Sequence, residues 1–72
     1  MNTVTITTEF IKLQDLLKFA SATATGGEAK NVIQDGLVSV NGQVCTQRGK
    51  KIRPGDEVGF AGQTYAVTYA DQ

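Results

Sequence analysis

A chain of 72 residues with 40% hydrophobic content has room for a single core and a single domain, and at this size folding buries only about 60% of the extended-chain surface. Seven basic and seven acidic residues cancel to zero net charge, which excludes a protein held to a polyanion by bulk charge alone. With no histidine and one cysteine, Cys45, the chain cannot build Ser-His-Asp or Cys-His catalysis, a Cys/His zinc site or an internal disulfide.

In chain order, Thr3 to Thr7 alternates polar and apolar residues and predicts an edge or N-terminal strand with Val4 and Ile6 facing inward. Residues 8 to 13 carry no clear period, and the first helix is placed to begin near Leu13. Leu13, Leu16, Leu17 and Ala20 then form an apolar stripe, with Gln14, Asp15 and Lys18 on the opposite side. Ser21 to Ala24 is a small-residue connection to a second helix. Thr25 is the expected N-cap, with Glu28 three residues on in capping-box spacing. Ala29, Val32 and Ile33 make the buried stripe of that helix, and Gly36 supplies the left-handed residue that ends it.

From Leu37 to Val40 the period is that of a strand. Asn41-Gly42 is a favoured pair for a tight hairpin turn because both central residues need positive φ. Gln43 to Thr46 is read as the return strand, with Val38 opposite Cys45, which places Cys45 on an apolar face. Gly49 bends a loop from Gln47 to Lys50, and Lys51-Ile52-Arg53 alternates with Ile52 inward. Pro54-Gly55 fits a turn with Pro second and Gly third. Val58 and Phe60 alternate along another strand, Ala61-Gly62 turns the chain, and Tyr65, Val67 and Tyr69 alternate along the last, where they are read as sheet packing.

Three stretches in this order and spacing carry a family resemblance: Ala29-Lys30-Asn31-Val32-Ile33 leading to Gly36, Val38-Ser39-Val40-Asn41-Gly42, and Gly55-Asp56-Glu57-Val58. With Ile11 to Lys18 upstream, the chain resembles the S4 family of RNA-binding domains over roughly residues 9 to 60. Within that family it is most similar to small stand-alone bacterial S4 proteins, in which a G-G-x-A-K element replaces a Ser-Arg-Ser run. The resemblance implies an α+β fold of the αL type, with an L-shaped helix pair packed on a small, mostly antiparallel sheet. It also implies a structured RNA partner, ribosomal or tRNA-like, and places the start of the second helix against the RNA. Gly26 stands where many S4 domains have arginine, which removes one strong phosphate contact.

Charge distribution points to the same partner. Arg48, Lys50, Lys51 and Arg53 lie within six positions that contain no acid. Four bases around a Gly bend on a rigid hairpin would match a row of phosphates. Thr25, Gly26 and Gly27 at a helix start offer free N–H groups to an anion, and Lys30 lies off the apolar stripe and can reach phosphate. Lys12, Gln14 and Lys18 on the first helix are further candidates, while Asn41 is first a turn residue and second a contact.

Glu28 is read as a helix cap and Asp56 as a turn residue holding backbone N–H groups. Adjacent Asp56 and Glu57 would face opposite sides of a strand. No enzyme, cofactor or metal is therefore expected. No apolar run approaches the roughly 20 residues of a membrane span, and the N-terminus lacks the pattern of a signal peptide. A monomeric cytoplasmic protein that binds structured RNA by shape and phosphate contact is the expected reading. The competing class is a protein-interaction module that offers its basic edge to an acidic partner or uses its aromatic C-terminal strand. An accessory acting in trans with an RNA-modifying enzyme is not separable from RNA binding by sequence.

Overall fold

The computed structural model describes residues 2–71. Seven strands and two helices run in the order β1 (Asn2–Ile6), β2 (Ile11–Lys12), α1 (Leu13–Phe19), α2 (Gly26–Gln34), β3 (Val38–Val40), β4 (Gln43–Val44), β5 (Lys51–Ile52), β6 (Glu57–Phe60) and β7 (Gln63–Tyr69). Five of the strands form one sheet in the order β1-β7-β6-β3-β4, and β2 pairs with β5 in a separate ribbon. Only β1 and β7 pair in parallel; the other pairs are antiparallel. This is the α+β architecture that the sequence predicts.

Register decides what the sheet buries. Val40 pairs with Val58 and Val58 with Tyr65, so the three share one row and one face. Val4 pairs with Val67 at the β1 edge. These residues join Leu13, Leu16, Leu17, Ala29 and Ile33 from the helices, and Ile52 from the ribbon, in a single apolar cluster. The expected edge strand and both helical stripes are therefore in place, although Val32 and Ala20 are only half-buried.

Both helices end in the same way. In α2 the N–H of Gly36 (φ 76) donates to the carbonyl of Ile33 and that of Leu37 to Val32, the Schellman pairing that satisfies the last carbonyls. In α1, Ser21 (φ 59) takes the left-handed position, with Ser21 N–H donating to Lys18 and Ala22 N–H to Leu17. Both two-residue turns have the dihedrals a tight hairpin requires: Asn41 and Gly42 have positive φ (51 and 86), as do Ala61 and Gly62 (52 and 78), Ala61 against the preference of its β-carbon.

Three expectations are corrected. The return strand stops at Val44 rather than Thr46; Cys45 still donates its N–H to the carbonyl of Val38 at 2.9 Å, after which the chain leaves the sheet. Lys51-Ile52 does not form a hairpin with the preceding strand but pairs with Ile11-Lys12, in the stretch whose period was unreadable. Tyr69 is 54% exposed rather than packed on the sheet, whereas Tyr65 is buried. Among the described residues, no helix is long and apolar enough to cross a membrane.

Candidate nucleic-acid interface

The ribbon organises the basic residues. Ile11 pairs with Ile52 and Lys12 with Lys51, and since cross-strand partners project to the same side, Ile11 and Ile52 share the inner face. Ile52 is fully buried there. The outer face then carries Lys12 and Lys51, and Phe10 and Arg53 flank the ribbon just beyond the paired residues. Lys51 Nζ lies 4.9 Å and Arg53 Cζ 6.0 Å from the centroid of the Phe10 ring, within cation–π range.

Next to this face the loop from Arg48 to Lys50 is fixed by its backbone. Lys12 caps α1 without a side-chain hydrogen bond. Instead, Leu13 N–H donates to the Lys50 carbonyl at 2.9 Å and Gln14 N–H to the Arg48 carbonyl at 3.1 Å. Orphan donors at the helix start and carbonyls of the loop thus satisfy one another. The consequence is that Arg48 and Lys50 keep their side chains exposed on a backbone tied to α1. Lys12, Gln14, Arg48, Lys50, Lys51 and Arg53, separated by up to 41 positions in sequence, belong to one connected surface. From sequence these bases are expected on a hairpin; the partner strand is instead the one that leads into α1.

Asn41 joins the far end of this surface in a bracing role. Its Nδ2 donates to Asp56 Oδ1 at 3.1 Å, its Oδ1 accepts from Glu57 N–H at 2.9 Å, and Asp56 Oδ2 accepts from Arg53 N–H at 2.9 Å. Gly55 (φ 98) and the bond from Asp56 N–H to the Arg53 carbonyl make Arg53 to Asp56 a turn of type II. The hydrogen bond from the Arg53 backbone holds the Asp56 carboxyl below its ordinary range, against a smaller opposing effect of burial and helped by Asn41 and by the charges of Lys50 and Arg53.

This gives a signed prediction. A carboxylate whose folded pKa is depressed stabilises the fold above its unfolded pKa and loses that contribution as pH falls through the folded value. Asp56→Asn offers one acceptor where two donors must be met, and is expected to lower stability at pH 7 by about 1 kcal/mol. In urea denaturation the gap between native and variant should narrow below about pH 4. A gap unchanged down to pH 2 would show that the charge of Asp56 contributes nothing.

The second group lies at the start of α2. Thr25 is the N-cap, its Oγ1 accepting from Glu28 N–H at 3.1 Å. The reciprocal arm of the box is displaced by one residue, since Glu28 Oε1 accepts from Ala24 N–H rather than from that of Thr25. Gly26 and Gly27 are exposed. A Cβ at Gly26 would meet nothing within 4 Å and one at Gly27 only Thr25 Oγ1 at 3.9 Å, so internal packing does not require glycine at either place. Among the described residues, their N–H groups have no hydrogen-bond acceptor. Lys30 is exposed on the same helix, and Lys18 is exposed on α1, one turn beyond half-buried Gln14.

The aromatic C-terminal strand keeps one exposed aromatic, Tyr69. β7 lies between β1 and β6 with both edges paired, and Tyr65 is buried. Phe10 is a residue of the basic face that sequence pattern alone does not single out. Its only signal was alternation with Lys12 in F-I-K, too short to be read without the partner strand.

The S4 domain model matches residues 4–68. The chain belongs to the S4 domain family. Escherichia coli (strain K12) YbcJ, a relative named for RNA binding, is 40% identical over 57 residues, covering 79% of this chain and 81% of the relative. RlbA of Bacillus subtilis (strain 168), named for ribosome maturation, is 38% identical over 61 residues, with 85% and 86% covered. The solution structure of E. coli YbcJ, described as revealing an αL motif involved in RNA binding, superposes with a TM-score of 0.73 at 36% identity, covering 94% of this chain and 87% of that one.

Proposed function

We propose that this S4 domain binds structured RNA, ribosomal or tRNA-like, through shape and phosphate contacts and acts in ribosome maturation. The observation that carries the reading is the ribbon face, where three cations and the Arg48 to Lys50 loop share one surface anchored to α1. A-form RNA hides its major-groove edges and is recognised mainly through backbone and 2′-hydroxyl groups. A fixed row of cations suits that target, and zero net charge limits attachment elsewhere on the chain. The names of the relatives YbcJ and RlbA support the same partner.

In this reading the open helix start at Gly26-Gly27 receives RNA backbone, Lys30 and Lys18 flank it, and Thr25 shapes it. In this reading the domain acts as a monomer, and an RNA partner of this kind goes with a cytoplasmic, non-enzymatic role. Co-sedimentation with isolated ribosomal subunits, with free tRNA as competitor, tests the target class. Retention on a subunit that tRNA does not displace supports the ribosomal partner; displacement by tRNA points to the tRNA-like one, and no co-sedimentation in either case contradicts both.

Gly26 and Gly27 yield a prediction with opposite signs. Alanine favours a helix over glycine by up to about 1 kcal/mol in a helix interior and less at its start. The Gly26→Ala, Gly27→Ala double variant is therefore expected to gain roughly 0.5 to 1 kcal/mol of stability. Two added methyls at a close backbone approach should nevertheless weaken RNA binding by roughly tenfold. Thermal melting and filter binding of the same preparations check the two halves.

A further inference from the structure

The Phe10 ring has an unusual setting. It is only half-buried, and among the described residues the hydrophobic side chains packed against the core include its neighbour Ile11 but not Phe10. What the ring touches is charge: Lys51 Nζ at 4.9 Å and Arg53 Cζ at 6.0 Å from its centroid. The backbone at this point is fixed, since Thr8 Oγ1 donates to the Phe10 carbonyl at 2.8 Å and the next residues enter the ribbon. An aromatic ring held next to a paired strand, outside the core and beside two cations, is the arrangement by which proteins take a single nucleotide: ring on base, cations on the flanking phosphates.

We propose that Phe10 is a stacking platform for an unpaired nucleotide, so that the RNA bound by this domain carries a bulge or a single-strand junction at the ribbon rather than continuous duplex. The inference rests on the RNA reading above and names the feature recognised at the same surface. In a continuous duplex each base face is covered by its neighbours, and only an unpaired base presents a π-face to a side chain. The free protein keeps the ring covered by the Lys51 ammonium. On binding, the base replaces the ammonium over the ring and the ammonium moves to a phosphate of the same strand, exchanging a cation–π contact for stacking and a charge-assisted contact. Arg53, held through its backbone N–H by Asp56, keeps its guanidinium at the rim. Lys12, across the ribbon from Lys51, extends the line of cations for the paired segment that follows.

The test compares two RNA hairpins of equal length and charge, one fully paired and one with a single bulged nucleotide, against native protein, Phe10→Leu and Phe10→Tyr. Native protein should prefer the bulged hairpin by roughly tenfold, within the range measured for one base stacked on an aromatic side chain. Phe10→Leu should abolish the preference while leaving the salt dependence on the paired hairpin unchanged, and Phe10→Tyr should retain the preference. Equal affinity of native protein for the two hairpins overturns the proposal and leaves the RNA reading standing. A Phe10→Leu variant that weakens both hairpins equally and flattens the salt dependence also overturns it, since Phe10 would then only position Lys51 and Arg53. Failure of native protein to bind either hairpin contradicts the RNA reading itself.

Discussion

Replacing Lys50, Lys51 and Arg53 together by alanine is expected to weaken binding to a bulged RNA hairpin by roughly 10- to 100-fold near 0.1 M salt. The three side chains are exposed, so their removal leaves no hole and no unpaired buried charge. The Lys50 carbonyl still accepts from Leu13 N–H and the Arg53 N–H still donates to Asp56, because these bonds use backbone atoms at the replaced positions. Stability should therefore fall only by the lost cation–π contacts on Phe10, about 1 kcal/mol, and a matching thermal melt separates lost contacts from lost structure. Replacing Asp15 in α1 and Asp35 at the C-cap of α2, both exposed acids, is a control that should leave binding within about twofold.

Ile52→Ala is expected to lower unfolding stability by about 2 to 4 kcal/mol. Ile52 is fully buried and is the one β5 side chain in the core, opposite Ile11. Its truncation leaves a cavity between ribbon and helices that a two-residue strand has little means to close. A domain of 72 residues has a total stability of roughly 4 to 11 kcal/mol, so the loss is a large share of it. Urea denaturation should show a lower midpoint with an unchanged slope. Val44→Ala, a substitution at a site 67% exposed, should cost under about 0.5 kcal/mol. Similar losses at the two positions would mean that the ribbon is not anchored as described.

Ile52 also illustrates what was legible in the sequence. Its inward orientation followed from alternation in Lys51-Ile52-Arg53, but its partner did not. A two-residue strand offers one apolar position to each face, and Ile11-Lys12 is too short to establish a period before α1 begins. By contrast, α2 carries several coincident signals, an apolar stripe, the Thr25 cap, and Gly36 with φ 76, and α1 carries a stripe of four apolar residues. The turns at Asn41-Gly42 and Pro54-Gly55 were readable because their residue types answer to specific dihedral requirements. The proposed site is legible in the sequence as composition, four bases in six positions, and not as geometry. Only long-range pairing brings Phe10 and Lys12 beside Lys51 and Arg53. Alternation continues to the end of β7, where Tyr69 stands opposite buried Ile6 in the last pair of the sheet and is nevertheless 54% exposed.

The central claim is that the ribbon and its loop form one phosphate-binding surface. Its most direct test is the salt dependence of binding to the bulged hairpin, measured for native protein and the Lys50, Lys51, Arg53 triple alanine variant. Native binding should fall with salt at a log-log slope of roughly −2 to −4, and the variant's slope should be shallower by about two units, somewhat under one unit for each lost contact. Equal slopes in the two proteins, or no native binding at low salt, would contradict the account and return the basic face to the role of a docking edge for an acidic protein.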